Sequence, residues 1–163
     1  MKSITILLVA MLAIAGSAYA QSDTSATAAA QGTYPAGTTF GGAAISALQI
    51  ANATLIASDG SAEGQITISL IGPTNPILGT QQIISIEADV SSASRAAANI
   101  VTITGTCSID MGNGTPVITG VPIVATITTN DQHLGTVGLV IGATTLPTGT
   151  INDGSMTIVD LTL

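Results

Sequence analysis

The feature that most constrains this chain is a strict alternation of apolar and polar residues along segments rich in Ile, Val and Thr. It is clearest over residues 99–111. There Val101, Ile103, Gly105, Cys107, Ile109 and Met111 take one set of positions, and Thr102, Thr104, Thr106, Ser108 and Asp110 take the other. Successive side chains of a strand point to opposite faces, so a period of two describes a strand with one dry and one wet side. The same period places Ile66, Ile68 and Leu70 against Gln65, Thr67 and Ser69. It also sets Ile84, Ile86, Ala88 and Val90 against Ser85, Glu87 and Asp89. Ile123, Ala125 and Ile127 oppose Val124, Thr126 and Thr128, while Val137, Leu139 and Ile141 share a face.

Turn dipeptides separate these segments: Asp59-Gly60, Gly72-Pro73, Asn113-Gly114, Asn130-Asp131 and Asp153-Gly154. Alternating segments punctuated in this way predict an antiparallel all-β domain. About seven or eight strands over residues 43–163 make a β-sandwich the expected architecture, with a small closed β-barrel as the alternative. Residues 43–58 also carry a helical stripe through Ile45, Leu48 and Leu55, but the Asp59-Gly60 hairpin signal after them favours a strand. Residues 91–98, SSASRAAA, read as a loop or one short helical turn. Residues 155–163 are apolar on both faces, through Met156, Ile158, Val159, Leu161 and Leu163. A strand covered on both sides, or paired with another molecule, has that pattern.

The N-terminus has a different character. Lys2 precedes an apolar run over residues 4–14, and Ala18-Tyr19-Ala20 matches a cleavage site, so residues 1–20 read as a signal peptide with Gln21 as the new first residue. The run is shorter than the ~20 residues of a membrane-spanning helix. The expected location is therefore secreted, extracellular or periplasmic, with cell-surface association compatible. Residues 21–42 are Ala, Thr, Ser and Gly with little apolar bulk. They read as a flexible arm that carries Tyr34 and Phe40, the only aromatics outside the leader, ahead of a β-domain at 43–163.

Charge then excludes whole classes of partner. The chain of 163 residues has formal net charge −7, and its two basic residues are Lys2 and Arg95. Once the leader is removed, Arg95 stands alone. One guanidinium cannot neutralise several phosphates, nor can it make a polybasic contact with anionic lipid. No nucleic-acid partner is expected, and no membrane span after cleavage. Cys107 is the sole cysteine, so no internal disulfide forms, and its strand phase turns it inward as a small hydrophobe.

Catalytic equipment is sparse. His133 is the only histidine and sits two residues from Asp131 in a turn, without a G-x-S-x-G elbow elsewhere. Zinc needs three or four ligands, which one His and one inward Cys do not supply. Glu87 and Asp89 share a strand face, and two carboxylates suffice for glycoside hydrolysis, but the β-domain has no aromatic platform for a sugar. They are read as solvated wet-face residues, and Asp59, Asp131 and Asp153 as turn residues. Without a lysine beyond the leader, neither an isopeptide bond nor a Schiff base can form. Asn52-Ala53-Thr54 and Asn113-Gly114-Thr115 match the glycosylation triplet. The chain is thus expected not to be an enzyme, with no catalytic, cofactor-binding or metal-binding residues and no cofactor.

What remains is work done by surfaces. The leading expectation is a secreted, non-catalytic structural or surface protein. It self-associates through strand edges into a homo-oligomer or surface polymer, because an edge presents unpaired N–H and C=O groups. The arm or the last strand would supply the edge. One alternative is a binding face of Thr102, Thr104, Thr106, Thr126 and Thr128 for ice, mineral or polysaccharide. The other is an outer-membrane β-barrel, for which alternation and export fit but aromatic girdles are missing.

Overall fold

A computed structural model describes residues 23–161. The signal peptide read at 1–20 lies outside the described residues. In chain order the strands are β1 (Asp23–Thr33), β2 (Thr39–Phe40), β3 (Ala43–Ala44), β4 (Ala47–Ile56), β5 (Ala62–Ile71) and β6 (Ile83–Ala97). They continue with β7 (Ile100–Asp110), β8 (Ile118–Thr129), β9 (Gly135–Ile141), β10 (Thr144–Thr145) and β11 (Gly149–Leu161). The described residues contain no helix.

Eight strands close into an antiparallel barrel, so of the two architectures compatible with the alternation the barrel is the one formed. Strands β1, β4, β5, β6, β7, β8 and β9 each pair with the next, β9 pairs with β11, and β11 returns to β1. This is an up-and-down ring in which consecutive ring strands lie side by side and the last, β11, closes onto the first, β1. Its weakest seam is β9 to β11, which spans only Gly149–Val137, Thr150–Thr136 and Ile151–Gly135. By contrast β1 pairs along its whole length, from Asp23 opposite Leu161 to Thr33 opposite Thr150.

Alternation decides what lies inside. Leu48, Ile68, Leu70, Ile84, Ile86, Val101, Val137 and Met156 are fully buried, and the Gln, Thr and Ser residues between them form the outer wall. A ring of eight strands leaves an interior just wide enough for side chains to fill. Burying one such aliphatic side chain is worth about 1.5–3 kcal/mol, and a chain without an internal disulfide depends on that packing.

Two segments behave otherwise than their composition predicts. Residues 23–33, expected in a flexible arm, form β1, bonded on one side to β11 and on the other to β4. The reason is parity: Ala26, Ala28 and Ala30 point inward and are buried, with Ala28 in line between Met156 of β11 and Asn52 of β4. The rest of the expected arm closes one mouth of the barrel. Tyr34 and Phe40 are each 7% exposed, with Ile45 and Leu146 buried beside the same loops. The β-domain therefore starts at Asp23 among the described residues and not at 43. Residues 91–97, expected as a loop or helical turn, continue β6 opposite β7 through register shifts at Val90/Ser92 and Arg95/Ala97. Residues 47–56 are strand, as the hairpin signal after them predicts.

Candidate functional sites on the barrel wall

The outer wall carries a polar depression of about 520 Å³ across β5, β6, β7 and the start of β8. Strand pairing builds it in two rows. Asp89 lies between Gln65 and Thr106, and Glu87 lies between Thr67 and Ser108. Thr119 and Gly120 form its lip, where β8 is out of step with β7 and Gly120 adopts φ +72°. Glu87 and Asp89 are exposed, as their wet-face phase predicts. No Arg, Lys, His or aromatic side chain lines the depression. Among the described residues there is also no group of three or more His, Cys, Asp or Glu side chains able to hold a metal ion. The arrangement presents carboxylates, an amide and hydroxyls that can hydrogen-bond hydroxyl-rich matter.

His133 is equally isolated. The Oδ1 of Asn130 accepts from the amides of Gln132 and Leu134, and this tight loop holds His133 at φ +60° with its side chain exposed. The contribution of His133 is a backbone one: its carbonyl accepts the Met156 amide at 2.7 Å. Cys107 faces inward at 3% exposure, and burial raises its thiol pKa, so it stays protonated and inert. Asp59 sits in the β4–β5 turn, where the Ser61 hydroxyl and amide donate to it and hold its carboxyl below the ordinary value.

The glycosylation triplets part company. Asn52 is buried, its amide donating to the Ala26 carbonyl at 2.8 Å while its Oδ1 accepts from Thr54 at 2.7 Å. In the folded chain that amide is inaccessible. Asn113 is exposed in the β7–β8 loop, and its Oδ1 caps Thr115. The threonine rows are also staggered by the register. Thr102 meets Thr126, with 3.4 Å between hydroxyls, but Thr104 faces Val124 and Thr106 faces Pro122.

The second mouth of the barrel is crossed by a charge pair. Arg95, at the far end of β6, reaches Asp160 on β11, and Asp160 also accepts from Thr24. This is the only ion pair among the described residues. Beside it lies an opening in the ladder. β9 begins at Gly135 opposite Ile151, so beyond Ile151 the far edge of β11 has lost its strand partner. The His133 carbonyl takes up the Met156 amide, and among the described residues no strand pairs with residues 157–161 on that side. Val159 and Leu161 are 46% and 42% exposed there, with Leu55 at 47% on the same wall. The doubly apolar pattern of residues 155–163 is the sequence signal of this edge, whereas nothing in the sequence marks Arg95 and Asp160 as partners.

No protein-family model matches the chain, and neither a curated protein nor a solved structure matches it.

Proposed function

We propose that the chain is a secreted, non-catalytic structural or surface protein that self-associates through strand edges. The observation that carries this reading is the β11 edge over residues 157–161. On its side away from β1 this stretch of a ring strand presents backbone groups together with exposed apolar side chains, without a strand partner there among the described residues. Strand edges of this kind are usually blunted by charged side chains, Pro or a bulge, and over residues 157–161 the only such device is Asp160, which Arg95 pairs. The dry aliphatic interior and the hydroxyl-covered wall support a role for surfaces over one for chemistry. They also run opposite to a lipid-spanning barrel, whose outer band is apolar. The threonine-face alternative has the single Thr102–Thr126 contact in its favour.

Light scattering on the protein beginning at Gln21 tests the reading. The expected result is a mass that rises with concentration toward a multiple of the monomer. A mass fixed at the monomer across the micromolar to millimolar range would defeat it.

A further inference from the structure

We infer that the 157–161 edge of β11 pairs antiparallel with the same edge of a second copy, about a two-fold axis at Val159. The inference rests on the self-association reading and names its partner and register.

Hydrogen-bond parity sets the geometry. The N–H and C=O of one strand residue point to the same side, and they alternate from residue to residue. The Met156 amide points away from β1, toward His133. By alternation the backbone groups of Ile158 and Asp160 point the same way, and those of Thr157 and Val159 point to β1. The neighbouring ladder agrees. Met156 lies opposite Ala28, whose groups must then face β4, and so must those of Ala26. The Ala26 carbonyl does accept from Asn52 on β4. The free edge therefore offers two residues' worth of donors and acceptors, at Ile158 and Asp160.

A two-fold axis through Val159 brings Ile158 opposite Asp160 of the second copy, and Asp160 opposite its Ile158. Both pairs are of the type that exchanges two hydrogen bonds, so all the free groups at these positions are satisfied. An axis half a residue away would set bonded against unbonded positions. An axis at Ile158 would set Asp160 opposite Met156, whose amide the His133 carbonyl already takes, and one at Asp160 would set the two Asp160 residues directly opposite each other. Val159 then meets its own counterpart in a close, non-bonded pair, and Leu161 meets Thr157. Asp160 is the only charge in the segment, and Arg95 already neutralises it within each copy. Two copies thus approach without opposing bare carboxylates, despite a formal net charge of −7. Because the contact uses the same surface twice, it closes on itself and yields a pair of barrels, not a filament.

Cysteine scanning in a Cys107→Ala background tests this register. Non-bonded antiparallel partners have Cα atoms about 4.5 Å apart, within disulfide range. Under oxidised glutathione, Val159→Cys is expected to give a covalent dimer. Thr157→Cys alone is expected to stay uncoupled, but to couple when mixed with Leu161→Cys. Ser25→Cys, on the same wall beside β11, is expected to stay monomeric. Val159→Lys, at a half-exposed outward position, is expected to keep the melting temperature and weaken dimerisation at least tenfold.

Two failures are distinguishable. If the unmodified protein dimerises but Val159→Cys does not cross-link and Val159→Lys does not weaken it, this register is wrong and self-association uses another surface. If the protein is monomeric throughout, with this edge covered by the chain's own residues before Asp23 or by a different protein's strand, both readings fall.

Discussion

The Tyr34 ring lies beside Gly149, and its hydroxyl is buried without a hydrogen-bond partner. A buried hydroxyl left unpaired costs about 1–3 kcal/mol. Tyr34→Phe keeps the ring and removes that cost, so its melting temperature at pH 7 is expected to equal or exceed that of the parent. Burial also raises the Tyr34 pKa far above its ordinary 10.0. A group whose pKa is raised by folding contributes its full share of stability below the unfolded value, and loses it as pH rises beyond. The unfolded phenol ionises above pH 10 while the folded one cannot, so the advantage of Tyr34→Phe should widen between pH 9 and pH 11. Urea melts across that range would show it, and a variant less stable than the parent at pH 7 would refute it. Gly154 makes the opposite point. At φ +94° a Cβ there would lie 2.3 Å from the Ala29 carbonyl oxygen. Gly154→Ala is expected to destabilise by about 1–3 kcal/mol or more. Gly37→Ala, at φ +85° with nothing within 4 Å, should cost less in the same melt.

At the scale of elements, β1 is the strand whose removal is most informative. Starting the chain at Gly42 deletes the strand that joins β11 to β4 and opens the ring. A protein truncated there is expected to lose its cooperative thermal transition and bind a dye for exposed apolar surface. An intact transition would mean that residues 23–33 are dispensable. This strand was hard to read from sequence for a physical reason. Ala and Thr are what a disordered linker also uses, and only the inward spacing of Ala26, Ala28 and Ala30 separates the two. Strands β5, β7, β8 and β9 were legible because bulky Ile, Leu and Val alternate with polar residues. The second half of β6 was not, since its register shift at Val90/Ser92 breaks the period. Sandwich and barrel share the same alternation, and what distinguishes them here is the three-pair seam from β9 to β11. Of the candidate edge, its apolar character was visible in residues 155–163. Its vacancy was not, because that depends on where β9 begins.

For the whole molecule, pH tolerance follows from how few charges are engaged. Arg95–Asp160, with side chains 25% and 49% exposed, is the only ion pair among the described residues. A pair of that exposure is worth about 0–1 kcal/mol. Asp59 has its pKa lowered by Ser61, so its contribution is present above the unfolded carboxyl value and is lost as pH falls through the folded one. The melting temperature is therefore expected to hold from pH 7 to about pH 4.5 and to decline only below about pH 4. Calorimetry across that range would detect a steep early fall if one existed.

The pairing of Asp23 with Leu161 has a temporal consequence. A ribosome delivers β1 long before β11, yet β1 lies between β11 and β4 in the finished circle. A nascent chain can zip the meander from β4 onward, but it cannot complete the ring until the last strand has emerged. Closure of this barrel thus waits for β11 and is governed by the slow search of two strands far apart in sequence for each other.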